Sequence, residues 1–363
     1  MKLNTLLHSI LVGIILIACG ENQLENSSST KPKNGRNLSE NGTSNCYIVS
    51  SPGLYKFVPV KGNSSTPVGE IASVNVIWET FGTDIAPTIG SLIKNVKLNK
   101  NYIYFTIPSD YKTGNALIGA LNSDGEILWS WHIWITDIPK SQTYYNNAGT
   151  VMDRNLGATS ATPGDVRSLG LLYQWGRKDP FIGSGSIEID SQAKSTIIWP
   201  DAVSSDYNTG SIEFATANPT TFIKGSNWFS ASGTDDNNSL WLSDKTIYDP
   251  CPVGWRVPDG SQGGLWARAI GSVKSFLCAF DDVNKGMDFS YIFGDDDVIW
   301  YPAAGEIYGH DSSLSYTGRY GHYWSVNPRK DLAFLCDFDY RNEVNPGSYD
   351  WRAAALSVRC VQE

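Results

Sequence analysis

Between residues 45 and 137 the apolar positions recur in short runs broken by turn residues. Cys46-Tyr47-Ile48-Val49 and Leu54-Tyr55-Lys56-Phe57-Val58 flank Ser51-Pro52-Gly53, and further runs cover Ala72 to Thr80, Ile93 to Val96, Tyr102 to Ile107 and Ala116 to Leu121. Asn122-Ser123-Asp124-Gly125 signals a turn, because Asn, Asp and Gly tolerate the left-handed backbone. The run Ile127 to Ile135 alternates, with Trp129, Trp131, Ile133 and Ile135 on one face and Leu128, Ser130, His132 and Trp134 on the other. Six or seven short strands with no helical stripe predict a small β-sandwich over 45–137. The odd-numbered face of the last run reads as core, whereas His132 and Trp134 are candidates for exposure.

Pro139 marks a change of pattern, and residues 138–363 form the second predicted domain. Periodicity weakens, and residues 183–240 are rich in Ser, Thr, Asn and Asp. One helix is predicted, capped by Asp259 or Ser261, with Leu265, Trp266, Ala269, Ile270 and Val273 as its apolar stripe. Ala353 to Val361 reads as an apolar strand carrying Cys360 into the domain. The fold class expected is mainly β, a sandwich followed by a loop-rich α+β domain.

The N-terminus reads as an export signal over 1–18. Lys2 is followed by an apolar stretch, Leu6 to Ile17, too short to span a bilayer. It ends in Leu16-Ile17-Ala18-Cys19, which resembles a bacterial lipobox, so Cys19 is the expected lipid attachment site and membrane contact runs through that anchor. Residues 19–44, rich in Asn, Ser, Gly, Lys and Glu, read as a flexible tether. An outer-membrane lipoprotein, facing the cell surface, is the expected localisation.

Composition narrows the partners. Lys+Arg 28 against Asp+Glu 37 gives a net charge of −9, and no basic run occurs, which argues against nucleic acid. Five cysteines remain beyond Cys19, with no Cys-x-x-Cys pair. Cys278 and Cys336 sit among large apolar residues and read as buried thiols. Cys251 and Cys360 lie beside turn and strand signals and are the expected disulfide, permitted by export.

Five blocks stand in order along the second domain. They are Asp153-Arg154-Asn155-Leu156-Gly157-Ala158-Thr159, Gly170 to Pro180, Tyr248-Asp249-Pro250-Cys251-Pro252-Val253-Gly254-Trp255-Arg256-Val257-Pro258, Tyr323-Trp324-Ser325, and Ser357 to Val361. Together they resemble the Fibrobacter succinogenes major paralogous domain family, and the resemblance spans roughly 145–361. It implies a domain related to the C-type lectin-like fold and its formylglycine-generating branch, in a fimbrillin-like surface lipoprotein of the Bacteroidota type. The same analogy supports the Cys251–Cys360 bridge and a structural role for Arg256, paired with a carboxylate or carbonyls.

Candidate chemistry is sparse. Gly-x-Ser-x-Gly, the P-loop pattern and Gly-x-Gly-x-x-Gly are absent. His132, His310 and His322 lack partners at metal-ligand spacing, although His310 and His322 share Gly/Tyr-rich sequence. The calcium-binding motifs of C-type lectins are missing, and Asp295-Asp296-Asp297 reads as a solvated turn. No catalytic residue, metal or cofactor is therefore expected. The whole chain holds 13 Trp and 18 Tyr, and those of the loop-rich domain, Tyr320 and Trp351 among them, offer rings for sugar faces or protein surfaces. Trp228 and Trp241, in the most polar stretch, are the candidate ligand-binding residues. The expectation is a non-enzymatic surface lipoprotein for adhesion or ligand binding, with a glycan or a host or bacterial surface protein as partner. The alternatives are a glycan-capture protein for saccharide uptake and a formylglycine-generating-like enzyme.

Overall fold

The computed structural model describes residues 34–144, 148–196, 198–229, 238–270, 278–289 and 299–363. Strand dominates, 38% against 5% helix, in several sheets without a barrel among the described residues. The first region contains β1 (Arg36–Asn37), β2 (Cys46–Val49), β3 (Gly53–Phe57), β4 (Ser73–Thr80), β5 (Lys94–Asn99), β6 (Tyr102–Ile107), β7 (Gly114–Leu121) and β8 (Ile127–Ile135). They form two four-stranded sheets, ordered β1-β3-β6-β5 and β2-β8-β7-β4. Pairing is parallel in β1–β3 and β2–β8 and antiparallel elsewhere. Trp129, Trp131, Ile133 and Ile135 of β8 meet Phe57, Ile103 and Phe105 of the other sheet in one core. The predicted odd face of this strand is thus buried between the sheets.

The even face is buried as well, against expectation. His132 and Trp134 are 1% and 0% exposed. The second region covers that face. Trp134 joins Cys46, Trp78 and Leu117 in a core that runs on through Leu156, Tyr173 and Trp175. Its indole N–H donates to the Ala158 carbonyl at 3.0 Å. A sheet covered on both sides selects apolar residues on both faces, which simple alternation does not reveal.

The expected tether also ends early. β1 pairs with β3, Leu38 packs on the first core, and buried Ser44 donates its hydroxyl to the Cys251 carbonyl at 2.8 Å. These polar residues add main-chain pairing and caps more than apolar area, so composition conceals their order. The residues before 34, including the export signal and Cys19, lie outside the described residues.

In the second region the main sheet runs Phe181–Ile182, Leu171–Gln174, Ala355–Ser357, Tyr320–Arg329, Leu332–Asp339 and Val344–Trp351, with Glu306–Ile307 and Leu314–Ser315 attached. A separate sheet sets Val361–Gln362 between Thr150–Met152 and Trp255–Arg256. The start and end of the region are therefore joined. The Cys251–Cys360 disulfide locks this join, with both residues buried. The Asp249 carboxylate accepts the Cys251 and Val257 N–H groups at 2.8 and 3.0 Å, fixing the Pro-rich loop. Arg256 pairs with half-buried Asp259 at 2.7 Å and donates to the Val257 carbonyl.

The predicted helix spans Leu265–Ile270, with Leu265, Trp266, Ala269 and Ile270 buried; Val273 lies outside the described residues. Asp259 serves it through its main-chain carbonyl, which accepts from the Leu265 N–H at 2.8 Å, while its carboxylate bonds Ser243 and Arg256. A second short helix, Ile212–Ala217, lies in the polar stretch and is capped by the Ser211 hydroxyl. Among the described residues no helix is long and apolar enough to cross a membrane.

An ion pair cements the two regions. Lys178 reaches its neighbour Asp179 at 2.7 Å and the Ser130 hydroxyl of β8 at 2.6 Å, and lies over the Trp129 ring at 4.6 Å. Ser130, Lys178 and Asp179 are all buried. Burial lowers the Lys178 pKa, and Asp179 opposes that shift.

Candidate functional site

Trp228 and Trp241 do not form an exposed platform. They are 2% and 0% exposed. Trp228 donates its indole N–H to the Trp175 carbonyl at 2.7 Å, and Trp241 donates to the Tyr248 carbonyl at 3.0 Å. With few helices, this region builds its core from large rings whose single polar group is capped by main chain. The polar sequence around them supplies the turns that wrap those rings.

The remaining chemistry-bearing candidates divide in the same way. His132 bonds the Asn115 side-chain oxygen at 2.8 Å, and burial lowers its pKa to about 3, so it is a neutral interior group. Cys46, Cys278 and Cys336 are free and buried. Burial pushes each thiol up, Cys278 to about 12, which suppresses the nucleophilic thiolate. Asp295-Asp296-Asp297 lies outside the described residues. Among the described residues no three His, Cys, Asp or Glu side chains are grouped to hold a metal ion.

A different place has the geometry of a binding site. It begins at Tyr316, whose φ of 65° is rare for a bulky residue and costs on the order of 1–3 kcal/mol. The surrounding loop holds it there. The Tyr316 carbonyl accepts from the N–H groups of Arg319 and Tyr320 at 3.0 and 3.1 Å, and the Thr317 N–H donates to the Asp190 carboxylate at 2.7 Å. Gly318 is pressed so closely on the Ile187 carbonyl that a Cβ there would clash with it. The two segments thus form a preset cleft of about 370 Å³, lined by Glu188, Asp190, Ser315, Tyr316, Thr317 and Arg319. Among the described residues Arg319 makes no ion pair, leaving its guanidinium available to a ligand.

Tyrosine rings continue from the cleft along the sheet. Tyr316 lies 5.0 Å from Tyr320, which lies 6.1 Å from Tyr340 and 5.6 Å from His322. Tyr316 and Tyr340 are about half exposed. Beyond them His322 faces buried Glu306 at 3.4 Å and pairs across the strands with Asp337. Burial disfavours the His322 imidazolium, but Glu306, Asp337 and Asp350 outweigh it and raise the pKa. Burial, with repulsion from Glu306, pushes Asp350 up to about 6.

His310 lies 5.9 Å from Trp351, the residue after Asp350. Tyr320 and Trp351 were among the aromatic residues that the sequence placed in the loop-rich domain. Tyr316 and Tyr340 carried no separate signal beyond the Gly/Tyr-rich setting. No family model matches the chain, and no curated protein or solved structure shows significant similarity to it.

Proposed function

We propose that this chain is a non-enzymatic, lipid-anchored surface protein for adhesion, which binds saccharides or saccharide-coated surfaces through its own cleft. In this reading Cys19 anchors it to the outer membrane, the first region is a β-sandwich stalk, and the second is a lectin-like module of the Fibrobacter succinogenes major paralogous type. The join between the start and end of the second region, stapled by Cys251–Cys360, supports the lectin-like reading. The tyrosine-rimmed cleft carries the functional one. Flat rings stack on the apolar faces of sugars, while Glu188 and Arg319 offer an acceptor and a donor to hydroxyl or carboxylate groups.

The test is a glycan array probed with the full chain in detergent, with and without chelator. Replacing Tyr316 or Tyr320 with Ala is expected to weaken saccharide binding about tenfold, in line with the loss of one ring contact. Chelation is expected to leave binding unchanged. A blank array, or binding indifferent to both substitutions, would count against the cleft and favour a protein ligand.

A further inference from the structure

The sheet β1-β3-β6-β5 segregates charge in a way the whole chain does not. The chain carries −9, yet the four strands contain Arg36, Lys56, Lys94 and Lys97 and neither Asp nor Glu; Arg36 stands opposite core-facing Tyr55 and donates to its hydroxyl at 2.7 Å, so the lysines carry the outward charge. Lys100 adds a fifth positive charge in the turn between β5 and β6. Tyr55, Phe57, Ile103 and Phe105 face the core, so alternation turns Lys56, Tyr102 and Tyr104 outward. Register then aligns them. Lys97 stands opposite Tyr104, and Tyr104 opposite Lys56, so one row crosses three strands. The Lys56 ammonium lies 4.6 Å from the Tyr102 ring and 5.9 Å from the Tyr104 ring. Among the described residues the hydroxyls of Tyr102 and Tyr104 have no hydrogen-bond partner.

Protection of a sheet edge accounts for lysines on β5, the edge strand. It does not account for Lys56 on β3 or for two tyrosines on β6, both interior strands. We infer that this face is a docking surface for an anionic polysaccharide, whose carboxylate or sulfate groups meet the ammonium groups and whose hydroxyls meet the two phenols. Charge complementarity is the argument for an anionic occupant. A bilayer would require protruding apolar side chains, and the outward aliphatic residue here, Leu54, is half-buried. Base stacking would require bare ring faces, whereas Lys56 already covers Tyr102. The surface lies in the other region from the tyrosine cleft, so either can fail without the other.

The test uses the full chain in detergent with heparin and polygalacturonate as probes. Affinity is expected to fall about a hundredfold from 50 to 200 mM salt if about four cations are engaged. Lys56→Glu combined with Lys97→Glu is expected to weaken binding about tenfold or more at 50 mM salt. Lys140→Glu with Lys330→Glu, an equal change of net charge in the second region, is expected to cost less than about threefold. Tyr102→Phe with Tyr104→Phe removes only two hydroxyls and is expected to weaken binding about threefold. That pair decides the matter if circular dichroism shows the lysine variant misfolded. Absence of binding, equal losses in the two charge variants, or tighter binding of duplex DNA or phosphatidylglycerol vesicles than of either polysaccharide would overturn the inference.

Discussion

His132 shows how burial fixes the chemistry of a single residue. In the folded chain its pKa is about 3, against about 6.5 for an ordinary histidine. The unfolded chain therefore takes up the proton first as pH falls. The stability this residue contributes is complete above pH ~6.5 and is lost below it, by about 1.4 kcal/mol per pH unit, until pH ~3. His132→Gln is expected to remove about one proton from the pH dependence of urea unfolding between pH 6 and 4. In an NMR titration the His132 ring is expected to stay unchanged from pH 8 to 5, whereas His322 shifts with a midpoint above the ordinary value. A His132 midpoint near 6.5 would contradict its burial. At this scale residue type was legible but environment was not. Trp228 and Trp241 looked exposed because their neighbours are polar, and those neighbours turn out to be the wrapping of a ring-built core.

Among the elements, the ones whose identity depends on local pattern alone were readable. The alternation in β8 and the stripe of the Leu265–Ile270 helix both announced themselves. What local pattern omits is the partner on the far side, hence the missed burial of His132 and Trp134. The basic sheet face is hidden for a similar reason. Its lysines are scattered along the chain and become one row only through register. The Cys251–Cys360 bridge could be anticipated because both cysteines lie beside turn and strand signals and because the resembled fold staples its late strand back. It joins residues 109 apart and pins the last strand to the Pro-rich loop. Cys251→Ala with Cys360→Ala is expected to lower stability by about 2–5 kcal/mol in chemical denaturation. A loss below about 1 kcal/mol would mean that the pairing of Val361–Gln362 with its two neighbours holds the join unaided.

At the scale of the whole molecule, the two predicted domains are not independent. One core draws Trp78, Leu117 and Trp134 from the first region and Leu156, Tyr173 and Trp175 from the second. The buried Lys178–Asp179 pair reaches Ser130 across the same joint. Removing one partner of a buried pair leaves an uncompensated charge and costs about 3–5 kcal/mol. Lys178→Met should therefore destabilise the first region although the residue belongs to the second. Hydrogen exchange offers the readout, through amides of β6 in the first region and of Leu332–Asp339 in the second. If the joint couples the regions, both sets lose protection by the same free energy and the chain melts in one transition. If the regions were a stalk and a module linked only by the chain, β6 amides would keep their wild-type protection. Coupling of this kind would also make the anionic-ligand face and the tyrosine cleft parts of one rigid body, held at a fixed mutual orientation.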